Sequence, residues 1–299
     1  MIKTIYPSRS ATLYEATSSK NTGLDEIIEI TKQVSASGAT NYNSRGVLYF
    51  SPTELSTISA SLSAQGIHTS SDSGSLKYYL KMFVSEEGDV PLEFQLNVHP
   101  LRESFEMGTG RTTNKPYSTN GVSWAYRRTP EVSWTDTGGY YFSGSHASES
   151  AVQLFNNVTA DVEVDITDQV LWWESDPETV ANYGLIIKRP DGHETNAEVY
   201  GSLKYYSRNT NTIYPPRLEV RYNPLQQTFS SINGSQISIS DDIDVVPRIS
   251  SEYKQGSIDR IIVDTTVKGK ARSQAGSVGT DFTYYLPQSS SFAIKDNST

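Results

Sequence analysis

Cysteine is absent from the 299 residues, which removes disulfide frameworks, thiolate zinc sites and cysteine nucleophiles together and leaves the redox compartment open. A basic surplus is missing too: 34 acidic against 25 basic residues give a formal net charge of −9. The surplus acid is spread along the chain and not gathered in a tail, so nothing here attracts a phosphate backbone and nucleic acid is not an expected partner. No stretch approaches the roughly 20 apolar residues that span a bilayer, so membrane insertion is not expected either. The opening MIKTIYPSRSATLYEATSSK holds no apolar run of signal-peptide length and no small-residue cleavage site. With Met1 as the start of the chain, the expectation is synthesis in a cytoplasm without export by the usual route.

Catalytic signatures are equally scarce. His68, His99, His146 and His193 are scattered, none with a partner at metal-ligand spacing. There is no G-x-S-x-G elbow, no P-loop and no H-E-x-x-H. The expectation is a protein without metal, cofactor or enzymatic activity. Helix signals are few, the clearest being Pro52–Leu62 (PTELSTISASL).

What the chain has is tyrosine, 19 of them beside 3 methionines, set among serine, threonine, asparagine and glycine. That mixture reads as β-structure carrying amphipathic rings. Apolar and polar residues alternate at Leu76–Val84, Leu92–Val98, Val162–Ile166 and Leu218–Tyr222, and Gly46–Phe50 is a short apolar run. Such alternation marks antiparallel strands with one buried face. Turn signals separate the strands at Glu87-Gly88-Asp89, Asn120-Gly121, Gly138-Gly139, Asp191-Gly192 and Asn233-Gly234. Many short strands without a βαβ rhythm predict an all-β protein, a jelly-roll β-sandwich. A boundary falls near Tyr222–Pro224, which divides the chain into a sandwich over 1–223 and a C-terminal segment over 224–299. Ile258–Val267 carries the strongest strand signal of that segment, which is expected to form a small β domain or an extended arm that docks on a partner.

In chain order, Ala11–Glu15, Asn21-Thr22-Gly23, Arg45–Phe50, Gly121–Trp124, Trp134 with Gly138–Tyr141, Val164–Val170 with Trp172-Trp173, Asn182–Ile187 and Lys204–Arg208 with Pro215–Val220 form a pattern. It resembles the DNRLRE family of jelly-roll domains, which are similar to carbohydrate-binding modules and occur on secreted bacterial proteins and in phage virion proteins. Two departures stand out: Ser51 follows the Leu48–Phe50 strand where the family usually has an acidic residue, and the loop after Glu103 is long. The segments Arg260–Asp264 and Tyr285–Pro287 weakly resemble parts of virion structural proteins of T4-like marine and cyanobacterial phages. With the missing export signal, the resemblance implies a non-enzymatic structural component of a tailed-phage virion, in tail, baseplate or fibre, assembled in the host cytoplasm. Its implied partners are other virion proteins and further copies of itself; the alternative is a carbohydrate-binding module for a polysaccharide.

Trp134 with Tyr140 and Tyr141 across the Gly138-Gly139 turn could offer a stacking platform for a sugar, and Arg127 beside Arg128 could pair with an acidic one. Trp124, Trp172 and Tyr183 read as packing residues. Trp173 points away from Trp172 if that piece is a strand, which makes it an interface aromatic. The doublets Tyr78-Tyr79, Tyr140-Tyr141, Tyr205-Tyr206 and Tyr284-Tyr285 send one ring to each face of an extended segment. Tyr79, Tyr206, Tyr284 and Tyr285 are therefore interface candidates, unless the outer rings simply sit on a wet sheet face. Asp161, Glu163 and Asp165 share a strand face, read first as solvated, then as a calcium edge, and last as an acid–base pair.

Overall fold

A computed structural model describes residues 2–35, 37, 40–63, 76–128, 132–144, 146–156, 160–222, 243–248 and 262–267. The strands of the first unit are β1 (Ile2–Ile5), β2 (Arg9–Tyr14), β3 (Ile27–Val34), β4 (Asn41–Tyr49), β5 (Leu76–Met82), β6 (Val84–Gly88), β7 (Glu93–Pro100), β8 (Tyr126–Arg128), β9 (Val132–Ser133), β10 (Ala151–Asn156), β11 (Val162–Asp165), β12 (Leu185–Lys188), β13 (Gly201–Tyr206) and β14 (Arg217–Tyr222). Its helices are α1 (Pro52–Ser63), α2 (Thr167–Ser175) and the short α3 (Asp191–Thr195). The chain divides into two units, Met1–Thr228 and Phe229–Thr299. In the second, β15 (Ile243–Arg248) pairs antiparallel with β16 (Ile262–Val267).

The first unit is an all-β sandwich. One sheet has the strand order β1-β14-β5-β11, and a larger one runs β10-β7-β12-β4-β3-β13-β6 with β2 also beside β4. Every named pairing in both sheets is antiparallel. Alternation sets the faces as expected: along β5, Leu76, Tyr78, Leu80 and Met82 are buried, while Lys77, Tyr79 and Lys81 face outward. These side chains meet Ile28, Ile30, Leu48, Leu96, Val98, Leu185, Ile187, Leu203 and Tyr205 of the large sheet in one continuous core. Each fully buried aliphatic side chain contributes about 1.5–3 kcal/mol through removal of apolar surface from water. Leu55 and Leu62 of α1 and Val170 and Trp173 of α2 close the same core.

The predicted single strand over Leu76–Val84 is in fact two. The chain leaves the small sheet at Phe83 and enters the large one as β6, where Val84 pairs with Tyr205. Asp161 fixes this corner by accepting the Val84 N–H at 2.7 Å. A strand that changes sheets is one way a sandwich closes its corners.

The β2, β4 and β12 part of the large sheet is covered on its outer side as well. Ala11, Leu13, Val47 and Ile186 on that face form a second core with Leu101, Phe105, Val122, Trp124 and Trp134, all from the long connection after β7. All four residues of β12 are consequently buried, and the apolar run of Gly46–Phe50 has the same cause. Asn21 ties this cover to the sheet. Its Nδ2 donates to Met107 O at 2.8 Å and Val122 O at 2.7 Å, and its Oδ1 accepts from Gly23 N at 3.2 Å and Gly110 N at 2.7 Å. Gly121 turns the cover with φ +97°, and a Cβ there would sit 2.4 Å from Gly108 Cα, so no larger residue fits.

Candidate functional site

Trp134 is not an exposed ring of the sugar platform expected there. Trp134 is 4% exposed, and its indole N–H donates to Ser123 O at 2.9 Å inside the second core. Its neighbours in sequence are equally engaged. Tyr140 lies under the Arg102 guanidinium, 5.3 Å from the ring centroid, and accepts from Arg102 Nη1 at 3.3 Å. Tyr141 packs 4.9 Å from the His99 ring and donates its hydroxyl hydrogen to Asp191 at 3.4 Å. The alternation of a turn between aromatics is the same for an open platform and for a cover layer. Here the rings fold inward because the outer face of the large sheet needs covering.

Beneath the Gly138-Gly139 turn lies an ionic knot. Arg45 reaches Glu194 with two bonds, Nε to Oε1 at 3.1 Å and Nη2 to Oε2 at 2.6 Å, and its Nη1 donates to Gly138 O at 2.9 Å. The guanidinium also stacks 4.7 Å from the Trp124 ring. Lys188, fully buried, lies 3.1 Å from Glu194 Oε2 and bonds Asp191. Lys32 donates to Glu194 O and Asn196 O, each at 3.0 Å, which satisfies carbonyls at the end of α3. Burial lowers the Lys32 ammonium from its ordinary value, against the opposing pull of Glu15 and Glu194. Burial likewise lowers the His99 imidazole, whose Nδ1 sits 3.0 Å from Glu149 O. Cations and anions here neutralise one another at short range, so the knot fastens the cover and α3 to the sheet.

Arg127 stands elsewhere, in a cleft of about 340 Å³ lined by Arg9, Tyr49, Ser104, Phe105, Glu106, Arg127, Arg128, Asn182 and Tyr183. Arg9 donates to Phe105 O and lies 4.9 Å over the Tyr49 ring. Arg127 Nη1 donates to Ser104 O at 3.2 Å, and its buried Nε has no partner among the described residues. Arg128 Nη1 is 3.5 Å from Glu106. Sequence reasoning missed Arg9 and Tyr49, which β2–β4 pairing sets opposite each other and which lie beside Arg127 of β8 only because the β8–β9 hairpin packs near them.

The remaining candidates are Tyr79, on the outer face of the small sheet, and Tyr206, at the end of β13 in the large sheet beside the Phe83 corner. Tyr79 is half-buried under Arg221, whose guanidinium lies 4.2 Å from the ring. Tyr206 stacks 6.0 Å from Tyr214, which is 5.2 Å from Phe83. Ile213, next to Tyr214, is 80% exposed, and Arg217 stacks 4.9 Å from the Phe83 ring. Within two doublets the inner ring, Tyr78 or Tyr205, is fully buried and its neighbour is half-buried. Ile213 and Tyr214 were not singled out by sequence; an Ile-Tyr pair before Pro215-Pro216 is their only signal.

Trp173 is a correction. Residues 167–175 form a helix and not a strand, started by Asp165, whose Oδ1 accepts from Thr167 N at 2.9 Å and from the Thr167 hydroxyl. Val170 and Trp173, one turn apart, then face the core together, and Trp173 is buried. Trp172 is the half-buried partner, 4.7 Å from Phe142. Tyr284 and Tyr285, like His68, lie outside the described residues.

The acids of β11 sit in a charge ladder. Asp161 holds the corner, Glu163 pairs with Arg221 at 2.7 Å and Lys81 at 3.1 Å, and Asp165 pairs with Lys77 at 3.2 Å. The Arg221 bond, aided by Lys81 and opposed by burial, holds Glu163 below its ordinary value. Burial pushes Asp165 and Glu219 up, and their bonds to Thr167 and Lys77, and to Arg221 and Arg217, outweigh it and hold both low. Carboxylates so paired lack the raised acid that glycoside hydrolysis requires. Among the described residues no group of three or more His, Asp or Glu is placed to hold a metal, and no helix is long and apolar enough to cross a membrane. No protein-family model matches the chain, and no curated protein matches it.

Proposed function

We propose that this chain is a non-enzymatic structural module of a tailed-phage particle, in tail, baseplate or fibre, that joins neighbouring copies or other particle proteins through the corner at Phe83 and the outer face of its small sheet beside it. The observation that carries the contact is the aromatic cluster of Phe83, Tyr206 and Tyr214 with Ile213 80% exposed beside it. Through Arg217, which stacks on Phe83, it adjoins Tyr79 and Arg221 on the outer face of the small sheet. Tyrosine and arginine side by side, with an exposed aliphatic residue at the edge, is the composition of contact cores in protein interfaces. The particle location rests on the ordered DNRLRE-like motifs over residues 11–222. The all-β sandwich agrees with that resemblance.

Light scattering coupled to size exclusion tests the contact. The full chain is expected to associate as concentration rises, and Ile213→Asp with Tyr214→Ser to remain monomeric. A wild-type chain that stays monomeric, and that captures no other particle protein, overturns the reading. Peptide mass spectrometry of purified particles tests location: the chain is expected in stoichiometric amount, and its absence sinks the virion assignment.

A further inference from the structure

We propose that the Ile213-Tyr214 knob of one copy seats in the groove between α1 and α2 of the next, so that copies join head to tail. The inference rests on the contact proposed at the Phe83 corner and names what that contact meets. The knob is the first reason. Ile213 is 80% exposed and Tyr214 44%. The turn that carries them is braced: Tyr214 N donates to Thr212 Oγ1 at 3.3 Å, the Tyr214 ring stacks on Tyr206, and Pro215-Pro216 follows. Apolar side chains held out on a stiff turn lose little freedom when a partner buries them.

The groove is the second reason. α1 and α2 enclose about 630 Å³, walled by Leu55, Ala60, Val170, Trp173 and Pro177. Trp173 is buried, and its Nε1 has no acceptor among the described residues. Such walls take an apolar side chain, and a hydroxyl that enters with it accepts the indole hydrogen, directly or through water. Ile213 and Tyr214 together supply both.

Charge is the third. Glu174 is the single ionisable group among the described residues that line the groove, and none of those residues offers it a cation. Burial raises its carboxyl above the ordinary value, opposed by the Ser59 hydroxyl. On the knob side Arg217 stacks on Phe83, and the exposed Arg208, whose Nη1 lies 3.5 Å from Met107 Sδ, belongs to the same connection between β13 and β14. Arginines beside the knob match the lone carboxylate of the groove. Two knobs facing across a two-fold axis would set cation against cation instead.

Position is the fourth. The start of α2 meets β5 at Tyr78, where Ile166 N donates to Tyr78 O at 2.8 Å and Tyr78 N donates to Thr167 Oγ1 at 2.9 Å. The knob packs on Phe83, five residues further on and so roughly 17 Å along an extended chain. A chain therefore does not seat its own knob in its own groove. Because the two surfaces differ, each added copy leaves one knob and one groove open, and the contact propagates into a ring or a filament.

Complementation between two variants of the full-length chain, followed by light scattering over a concentration series, tests this. The groove is blocked by Ala60→Arg or, independently, by Ser56→Arg, both at exposed positions of α1 that line it. The knob is removed by Ile213→Asp with Tyr214→Ser. The wild type should grow past the mass of a dimer, and each variant alone should associate roughly tenfold more weakly or less. An equimolar mixture of knob and groove variants should form one-to-one dimers and nothing larger, because a single intact knob meets a single intact groove. Thermal unfolding like that of the wild type shows that the variants fold. Groove variants that associate like the wild type, a mixture without heterodimers, or a wild type that stops at a dimer overturn the inference and leave the Phe83 contact standing. A wild type that stays monomeric overturns it too, and the contact reading falls with it when no other particle protein is captured.

Discussion

The two sheets of the sandwich share one core and treat their other faces in opposite ways. The small sheet leaves its outer face bare and lines it with Lys77, Lys81, Arg217 and Arg221 paired to Glu163, Asp165 and Glu219. The large sheet hides the outer face of its β2, β4 and β12 strands under Phe105, Val122, Trp124 and Trp134. Where a face is covered, polar groups must be neutralised in place, as Arg45, Lys188 and Glu194 are. Where it is bare, the same residue types meet water or a partner. An aromatic residue therefore means opposite things on the two sheets: Trp134 is packing, whereas Tyr214 is surface.

The sharpest way to break the contrast is to hollow out the cover. Trp134→Ala is expected to cost about 3–5 kcal/mol in chemical denaturation, the range for a large aromatic lost from a core. Glu194→Gln follows at about 3 kcal/mol, because Arg45 and Lys188 would stay buried without their shared anion. A cost under about 0.5 kcal/mol for either would show the cover to be loosely held.

Acid titration separates the two sheets in sequence. Burial holds His99 and His193 below the ordinary imidazole value, so the unfolded chain binds those protons first. Stability should fall as pH drops below about 6.5, and His99→Gln should flatten that early loss. Glu163, Asp165 and Glu219 are held below their ordinary values. Their stabilisation is present above roughly pH 4.5 and is lost as pH falls through their folded-state values. A melting-temperature profile with no inflection on the histidine side contradicts this. The smallest effect belongs to Lys81→Ala on the bare face, expected below about 1 kcal/mol because its pair with Glu163 is solvent-screened.

Most strands could be read from alternation, since period two survives wherever one face is bare or only the inner core is engaged, as along β5 and β13. The break at Phe83 could not be read, because no glycine or proline marks it and the switch is fixed by Asp161, far along the chain. The helix at Trp172-Trp173 was hidden for a related reason. Two adjacent tryptophans fit strand or helix equally, and only the Asp165–Thr167 turn before them decides. Of the site residues, Arg127 was visible as half of a basic pair. Its neighbour Arg9 was not, since Arg9 lies on β2 of the large sheet and Arg127 on the separate β8–β9 hairpin, and only the packing of the two puts both in one cleft. The fate of Trp134 depended on whether the long connection after β7 lay on the sheet or stood away from it, and composition is the same in both cases.

Strand β4 occupies an unusual position. β12 pairs with it along one edge and β2 and β3 along the other, while Val47 faces one core and Leu48 the other. Neither stripping the cover nor separating the two sheets alone releases it. Its backbone amides should accordingly be the last in the sandwich to trade their hydrogens for deuterium, on the timescale of global unfolding. Loss of either layer would surface there as faster exchange at a strand it need not touch directly.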